Sequence, residues 1–258
     1  EPDRGTVSRG DALSPWDGLV IDGDYIKSEA QAGRMGSILY AVVVRIPEYQ
    51  ANGKTRWVRS FRAPTGMDID AIADAEATLA EQLPGWLADG VVPIEEVPEG
   101  NDTRPHQYGM RHWREMFSAR QLLVHGTFVE EHRRIVAELV DALPNGQAND
   151  LAGLLGVVQG GALNYDSLLC SWHVPRAAMR SVFDRHDFSF KWSYAEFEGA
   201  DALYSWALGQ VVEATERVAQ LLLPGSTPTV VSGQTFSGRR SDLIHRVFRP
   251  DGVMTVMF

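Results

Sequence analysis

The sequence of 258 residues predicts an α/β fold with a large helical region and a small β-rich piece at its N-terminal end. A β-branched run at residues 38–46 is typical of a buried strand. Apolar residues recur at helical spacing for several turns after Ser118. Near the C-terminal end, apolar stretches alternate with a short helical pattern, which predicts a β-α-β unit. Continuously apolar strands favour a sheet that is covered on both faces, so we expect part of a parallel sheet.

The first hundred residues predict these elements in order. A short helix covers residues 24–34, and glycines at 33 and 36 close it. The strand at 38–46 pairs with residues 57–62 across an Asn52-Gly53 turn, which is a hairpin signal. Thr65 is expected to cap a helix over 68–83 that ends at Pro84. Residues 90–105, rich in Pro, Gly and acidic residues, predict a linker and a domain boundary.

The rest of the chain predicts four helices and then the β-α-β unit. The helices cover 118–143, 150–169, 175–186 and 200–222, with Pro175 at the first position of the third. Strands at 229–231 and 253–258 flank a helix at 241–248. The predicted organisation is therefore 1–66 (small and β-rich), 67–103 (acidic helix and linker), 104–222 (helical) and 223–258 (β-α-β). Because the chain begins at Glu1 and the last strand is buried, we expect a fragment of a larger protein.

Composition excludes several classes of protein. Hydrophobic residues at 44% and charged residues at 22% are typical of a globular chain. Cys170 is the single cysteine, which excludes a disulfide framework and a cysteine-rich zinc site. A single cysteine and no signal peptide in a chain of this length predict a cytoplasmic protein. No apolar run approaches the roughly 18 residues that span a bilayer, so we expect no membrane partner. The seven histidines show no ligand pattern, although His125 and His132 share a helix face, and satisfied or solvated histidines are the preferred interpretation.

Charge is arranged in blocks although the net charge is −10. Neither lysine nor arginine occurs between Arg62 and Arg104, and arginines then recur among aromatic residues. Solvated helix faces are one interpretation; a footprint for nucleic-acid phosphates is the other. The candidate DNA-binding residues are Arg111, Arg114, Trp172, Arg176 and Arg180.

Several long phrases resemble one family in order along the chain. They are GTVSRGDALSP, DYIKSEAQAGRMG, YGMRHWREMFSARQLL, YDSLLCSWHVPR, FDRHDFSFKWSYAEFEGA and RPDGVMTVMF. The chain is similar to the middle and later parts of bacterial adenine-specific DNA methylases that carry a zinc ribbon. The resemblance implies a partial Rossmann-like methyltransferase sheet, S-adenosyl-L-methionine as cofactor and double-stranded DNA as partner. It also implies a restriction-modification or anti-phage defence system, with other defence proteins as further partners.

One phrase supplies the candidate cofactor residues. WREMFSARQLL resembles the segment that opens a helix facing the cofactor in amino-methylating DNA methyltransferases, which implies cofactor roles for Phe117, Ser118, Arg120 and Gln121. Ser118 would cap the helix, and the exposed N–H groups would bind the methionine carboxylate. Arg120 opposes the helix dipole, so we expect an offsetting anion. Four groups could supply this anion: a cofactor carboxylate, a DNA phosphate, Glu115 or an acid of the predicted helix at 68–83.

The departures from the family leave two hypotheses. The cofactor loop and the Asp/Asn-Pro-Pro-Tyr motif are absent, so no catalytic residue is identified. The family's zinc knuckle aligns with Ser14-Pro15-Trp16-Asp17-Gly18, where both cysteines are replaced; a tight turn without zinc is expected. The chain is either an incomplete methyltransferase or a non-catalytic DNA-binding or assembly module.

Overall fold

The computed structural model describes residues 6–100, 102–143, 146–183, 187–188, 190–221 and 254–257. These residues form a mixed α/β structure, as predicted. In chain order the elements are β1 Val7–Ser8, β2 Asp11–Leu13, β3 Val20–Ile21, α1 Gly23–Gln31, β4 Leu39–Tyr49, β5 Thr55–Arg62, α2 Gly66–Ala88, α3 Arg104–Gln107, α4 Ala119–Ala142, α5 Gln147–Tyr165, β6 Ser171–His173, β7 Ala178–Arg180, β8 Tyr194–Phe197, α6 Leu203–Leu221 and β9 Met254–Met257.

The N-terminal piece is β-rich, as predicted. Strands β1, β2 and β3 form an antiparallel sheet in sequence order. Helix α1 follows directly, and its first residue, Gly23, donates its N–H to the Asp11 carboxylate at 2.9 Å. A Cβ on Gly23 would lie 2.9 Å from the carbonyl oxygen of Gly10, so glycine is required for this close approach.

The predicted hairpin is confirmed, and its strands are longer than expected. β4 and β5 pair antiparallel from Val42 opposite Arg62 to Tyr49 opposite Thr55. Gly53 takes the left-handed conformation (φ 74°) that the Asn-Gly turn demands. The predicted strand ended at residue 46, where the apolar run ends, but main-chain pairing continues to Tyr49.

The predicted parallel sheet is wrong for the strands that the structure describes. The main sheet has the order β5-β4-β9-β8, and all of its pairs are antiparallel. β9 has β4 on one side and β8 on the other, so no parallel neighbour can pair with it there. An apolar strand indicates burial but carries no information on strand direction. The predicted strand at 229–231 and helix at 241–248 lie outside the described residues.

The core joins this sheet to the helices. Val43 of β4 and Ala195 of β8 are fully buried with Ala162 of α5 and Leu203 of α6. Helix α4 packs against α2 and α5, and α5 packs against α6. Within the described ranges, no helix is long and apolar enough to cross a membrane.

The predicted ends of two helices need correction: α5 ends at Tyr165 and not at residue 169, and α2 runs further than predicted. α2 continues past Pro84 to Ala88, although an internal proline costs about 3 kcal/mol. Burial of Trp86 against α4 offsets that cost, since its side chain is only 4% exposed. The segment predicted to be a linker follows, and Val92 and Val97 within it are buried in two hydrophobic clusters.

The helix predicted over 175–186 is also wrong. Pro175 lies in a short 3-10 turn, Val174–Arg176, between β6 and β7, which pair as a hairpin. A proline fixes φ near −65°, which suits this turn as well as a helix start. Trp172 and Met179 are cross-strand partners, and packing of Met179 in the core favours the hairpin. The predicted helical region 104–222 therefore contains three short strands.

Candidate functional site

Helix α4 begins at Ser118, as predicted. The Ser118 hydroxyl accepts from the Gln121 N–H at 3.2 Å, and the Gln121 side-chain oxygen accepts from the Ser118 N–H at 2.9 Å. This reciprocal pair of hydrogen bonds is a capping box, and its sequence pattern is Ser-x-x-Gln before an apolar run. It fixes where α4 starts and directs the Gln121 side chain back towards the helix end.

Gln121 also connects α4 to a buried carboxylate. Its amide donates to Asp166 Oδ1 at 3.1 Å, and the same oxygen accepts from the Phe197 N–H at 2.9 Å. Asp166 follows α5 and Phe197 ends β8, so this carboxylate ties three elements together. Burial raises the pKa of Asp166 well above its usual value, and the negative charge of Glu196 raises it further.

His125 continues this network one turn along α4. Its Nε2 lies 2.9 Å from the main-chain oxygen of Asp166, and its Nδ1 lies 2.8 Å from the hydroxyl of Tyr204. Since a carbonyl only accepts, Nε2 carries the proton of the neutral ring. The Tyr204 hydroxyl also lies 2.6 Å from Gln159 Oε1, so its single proton serves one of two acceptors at a time. Burial lowers the pKa of His125 to about 4, so the ring is neutral at physiological pH.

The partner of Arg120 differs from every expectation drawn from the sequence. Its guanidinium makes a two-pronged contact with Glu196 of β8, with N–O distances of 2.8 and 2.7 Å. The pair is largely buried, with side chains 20% and 8% exposed for Arg120 and Glu196. Glu196 supplies the anion that a cation in the first turn of α4 needs. Neither Glu115 nor an acid of α2 does so, because β8 brings its carboxylate to this helix end from 76 residues further along the chain.

A cavity of about 460 Å³ lies along the first turns of α4. Phe117 lines it, and most of its other walls are apolar. Polar groups reach it from Arg114, His125, Gln159 and Ser167. Both its size and its apolar lining are typical of small-molecule sites.

The cavity fits S-adenosylmethionine only in part. Arg114 could pair with a carboxylate, and Trp113 and Phe117 could border a flat apolar ring. No carboxylate side chain is among the lining residues of the described chain, so the ammonium group and the ribose hydroxyls lack their usual partners. Ser118, Arg120 and Gln121 do not line the cavity; they organise the helix end beside it.

The predicted DNA-binding residues occupy two places in the fold. Trp172, Arg176 and Arg180 share the β6–β7 hairpin and the turn within it, with both arginines exposed. Trp172 is half-buried and makes an edge contact with Phe61 at 5.8 Å between ring centroids, so it supports the hairpin.

Arg111 and Arg114 lie elsewhere, at the 3-10 turn that precedes α4. Arg114 donates to the carbonyl oxygen of Pro93 at 3.3 Å, and the main-chain N–H of Arg111 donates to Glu115. Arg114 is therefore a wall residue of the cavity as well as a predicted phosphate ligand.

The turn at residues 14–18 is tight, as predicted. The Gly18 N–H donates to the Ser14 carbonyl at 3.0 Å, and Asp17 accepts from the Leu19 N–H at 3.1 Å. In the part of the chain that the structure describes, no group of three or more His, Cys, Asp or Glu side chains could hold a metal ion.

Sequence reasoning missed the residues that bind the site together: His125, Gln159, Asp166, Glu196 and Tyr204. The sequence indicates only that His125 shares a helix face with His132. The other four residues carry no local signal, because their partners are 31 to 79 residues distant.

Comparison with known proteins finds no similar protein: no family model, curated protein or solved structure matches the chain.

Proposed function

We propose that this chain is part of an S-adenosylmethionine-dependent DNA adenine-N6 methyltransferase of a bacterial restriction-modification or anti-phage system. The observation that carries the proposal is the start of α4. Phe117, directly before the Ser118 capping box, lines an apolar cavity, which matches the arrangement that the resemblance implies at this one residue. A ligand-sized apolar cavity with an arginine on its wall suits a molecule that carries both a ring and a carboxylate.

The residues of this chain would bind and orient the cofactor. Phe117 and Trp113 would border its apolar part, and Arg114 would pair with its carboxylate. The buried pair of Arg120 and Glu196 would hold the end of α4 in place without touching the cofactor. The cofactor, when bound, supplies the methyl group. Acidic partners for its ammonium and ribose groups would come from the cofactor loop that the resemblance places in the full protein.

Calorimetric titration with S-adenosylmethionine tests the proposal, on the full-length protein and on this chain. Arg114→Gln should weaken binding by about tenfold or more, the value of one lost charge-assisted hydrogen bond. Arg134→Gln is the matched control, since Arg134 is an exposed arginine of α4 paired with Glu131 and Glu138. Absence of binding by the full-length protein at millimolar cofactor would contradict the proposal.

A non-catalytic DNA-binding or assembly module is the second candidate. Two observations favour it. Arg120, a predicted cofactor residue, forms an ion pair with Glu196. The sequence also contains no Pro-Pro pair, which the catalytic motif of the family requires. This candidate predicts DNA binding without cofactor binding. In either case, replacing Arg176 and Arg180 with glutamine should reduce the salt dependence of DNA binding by a slope of about two, close to one per phosphate contact. An unchanged slope would assign those arginines to solvent or to an acidic protein surface.

A further inference from the structure

The β4–β5 hairpin extends beyond the main sheet. Pairing of β4 with β9 runs from Leu39 to Val42, whereas pairing of β4 with β5 continues to Tyr49 opposite Thr55. Residues 45–59 therefore form a two-stranded ribbon, which we call the arm. At about 3.4 Å per residue, each of its strands reaches roughly 20 Å from the sheet.

The arm is basic in an acidic protein. Arg45, Lys54 and Arg56 are exposed, and Arg59 is half-buried; Glu48 is the one acid in residues 45–59. The whole chain carries a net charge of −10, so the arm is a locally basic segment of a chain that is acidic overall. A basic projection on an acidic body directs a polyanion to the projection and away from the body.

The arm also exposes aromatic rings. Trp57 is 56% exposed and Tyr49 is 81% exposed. The guanidinium of Arg45 lies over the Trp57 ring, 6.0 Å from its centroid, and this contact presents charge and ring together. A two-stranded hairpin is only marginally stable on its own in water, so a long arm with exposed aromatic rings gains from a partner.

We infer that the arm docks in the major groove of double-stranded DNA. That groove is about 12 Å wide and admits a two-stranded β-ribbon. Arg45 on β4 pairs with Arg59, and Arg56 on β5 pairs with Glu48, so Arg45 and Arg56 lie on opposite faces of the ribbon. A ribbon held in the groove can therefore meet phosphates with charge from either face. The choice of DNA as the polyanion rests on the proposed function; the role of the arm does not depend on the cavity or on α4.

The test is fluorescence anisotropy with a labelled 24-base-pair DNA duplex, repeated over a range of salt concentrations. The arm variant is Arg45→Gln, Lys54→Gln, Arg56→Gln. Its control is Arg34→Gln, Arg134→Gln, Arg217→Gln, which removes the same charge from exposed arginines of other segments. The slope of log Kd against log salt should fall by about two to three in the arm variant and stay unchanged in the control. Trp57→Ala should weaken binding, whereas Trp16→Ala, at another exposed tryptophan, should not.

Three outcomes would overturn the inference. They are an unchanged slope in the arm variant, equal affinity for single-stranded DNA of the same length, and equal affinity for duplex RNA, whose deep, narrow major groove excludes a ribbon. Circular-dichroism melting of each variant confirms that it folds. Calorimetry with S-adenosylmethionine on the same proteins reports separately on the proposed function, because the arm does not line the cavity.

Discussion

Gly126 lies in α4 at the point where the helix crosses the ring of Trp86. A Cβ at this position would lie 2.3 Å from Cζ3 of that ring and 2.6 Å from Cε3. Ordinary contacts between carbon atoms begin near 3.5 Å, so the ring or the helix would have to move by about 1 Å. Trp86 is 4% exposed and packs with Leu79, Val92 and Leu122, so the surrounding core would have to move with it.

Two opposing effects decide the outcome of Gly126→Ala. Overpacking of a core costs about 1–3 kcal/mol, whereas alanine gains about 1 kcal/mol over glycine in a helix. We expect a net loss of about 1 kcal/mol, within bounds of about 0–2 kcal/mol, in the free energy of unfolding. Gly153→Ala in α5 is the matched control, because a Cβ there meets nothing within 4 Å. That variant should gain about 0.5–1 kcal/mol.

Urea unfolding followed by circular dichroism at 222 nm measures both variants. In the background of Trp86→Leu, the cost of Gly126→Ala should disappear, because the clashing ring is gone. A stabilised Gly126→Ala would refute the reasoning, since it would mean that Trp86 is loosely held.

Four further predictions concern the network at the start of α4 and its surroundings. Arg120→Leu leaves the Glu196 carboxylate buried without its cation and should cost about 3 kcal/mol, whereas replacing both with leucine should cost much less, as a double-mutant cycle in urea would show. Ser118→Ala removes the cap and should cost about 1 kcal/mol, with Ser118→Asp retaining most of the stability. The pKa of His125 is about 4 in the folded state and near 6.5 when unfolded, so the unfolded state binds the proton first as pH falls. Stability should therefore decline by up to about 3 kcal/mol between pH 6.5 and pH 4, and His125→Gln should show a shallower decline over that window. Burial raises the pKa of the Cys170 thiol to about 12, so Ellman's reagent should react only as fast as the protein unfolds; rapid labelling of the native protein would contradict the burial.

Local signals in the sequence predicted local structure well. The Asn52-Gly53 turn set the hairpin, and Ser118 with its helical apolar spacing set the start of α4. The helix end predicted at Pro84 and the helix start predicted at Pro175 were wrong. A proline excludes some main-chain conformations but does not determine which of the remaining ones is adopted. In both cases a nearby side chain decided the outcome by packing against a distant part of the chain: Trp86 packs in a cluster with Leu122, and Met179 in one with Val43.

The candidate site was predictable only at its edge. Ser118 and Gln121, three residues apart, form a capping box that the sequence predicts. Asp166, which bonds to Gln121, follows the C-terminal end of α5 and gives no such local signal. The pairing of Arg120 with Glu196 likewise depends on which strand of the sheet lies beside α4. Such contacts follow from the topology of the chain, and sequence spacing alone does not encode it.

The central position of β9 has a consequence for synthesis on the ribosome. Val42 and Thr255 pair within the sheet but are roughly 200 residues apart, a distance that takes about ten to forty seconds to translate at 5–20 residues per second. During that time β4 has emerged while one of its edges lacks its final neighbour, and an open edge is a template for pairing with other nascent chains. The basic residues at the end of the hairpin would oppose such pairing, because like charges on neighbouring nascent chains repel each other.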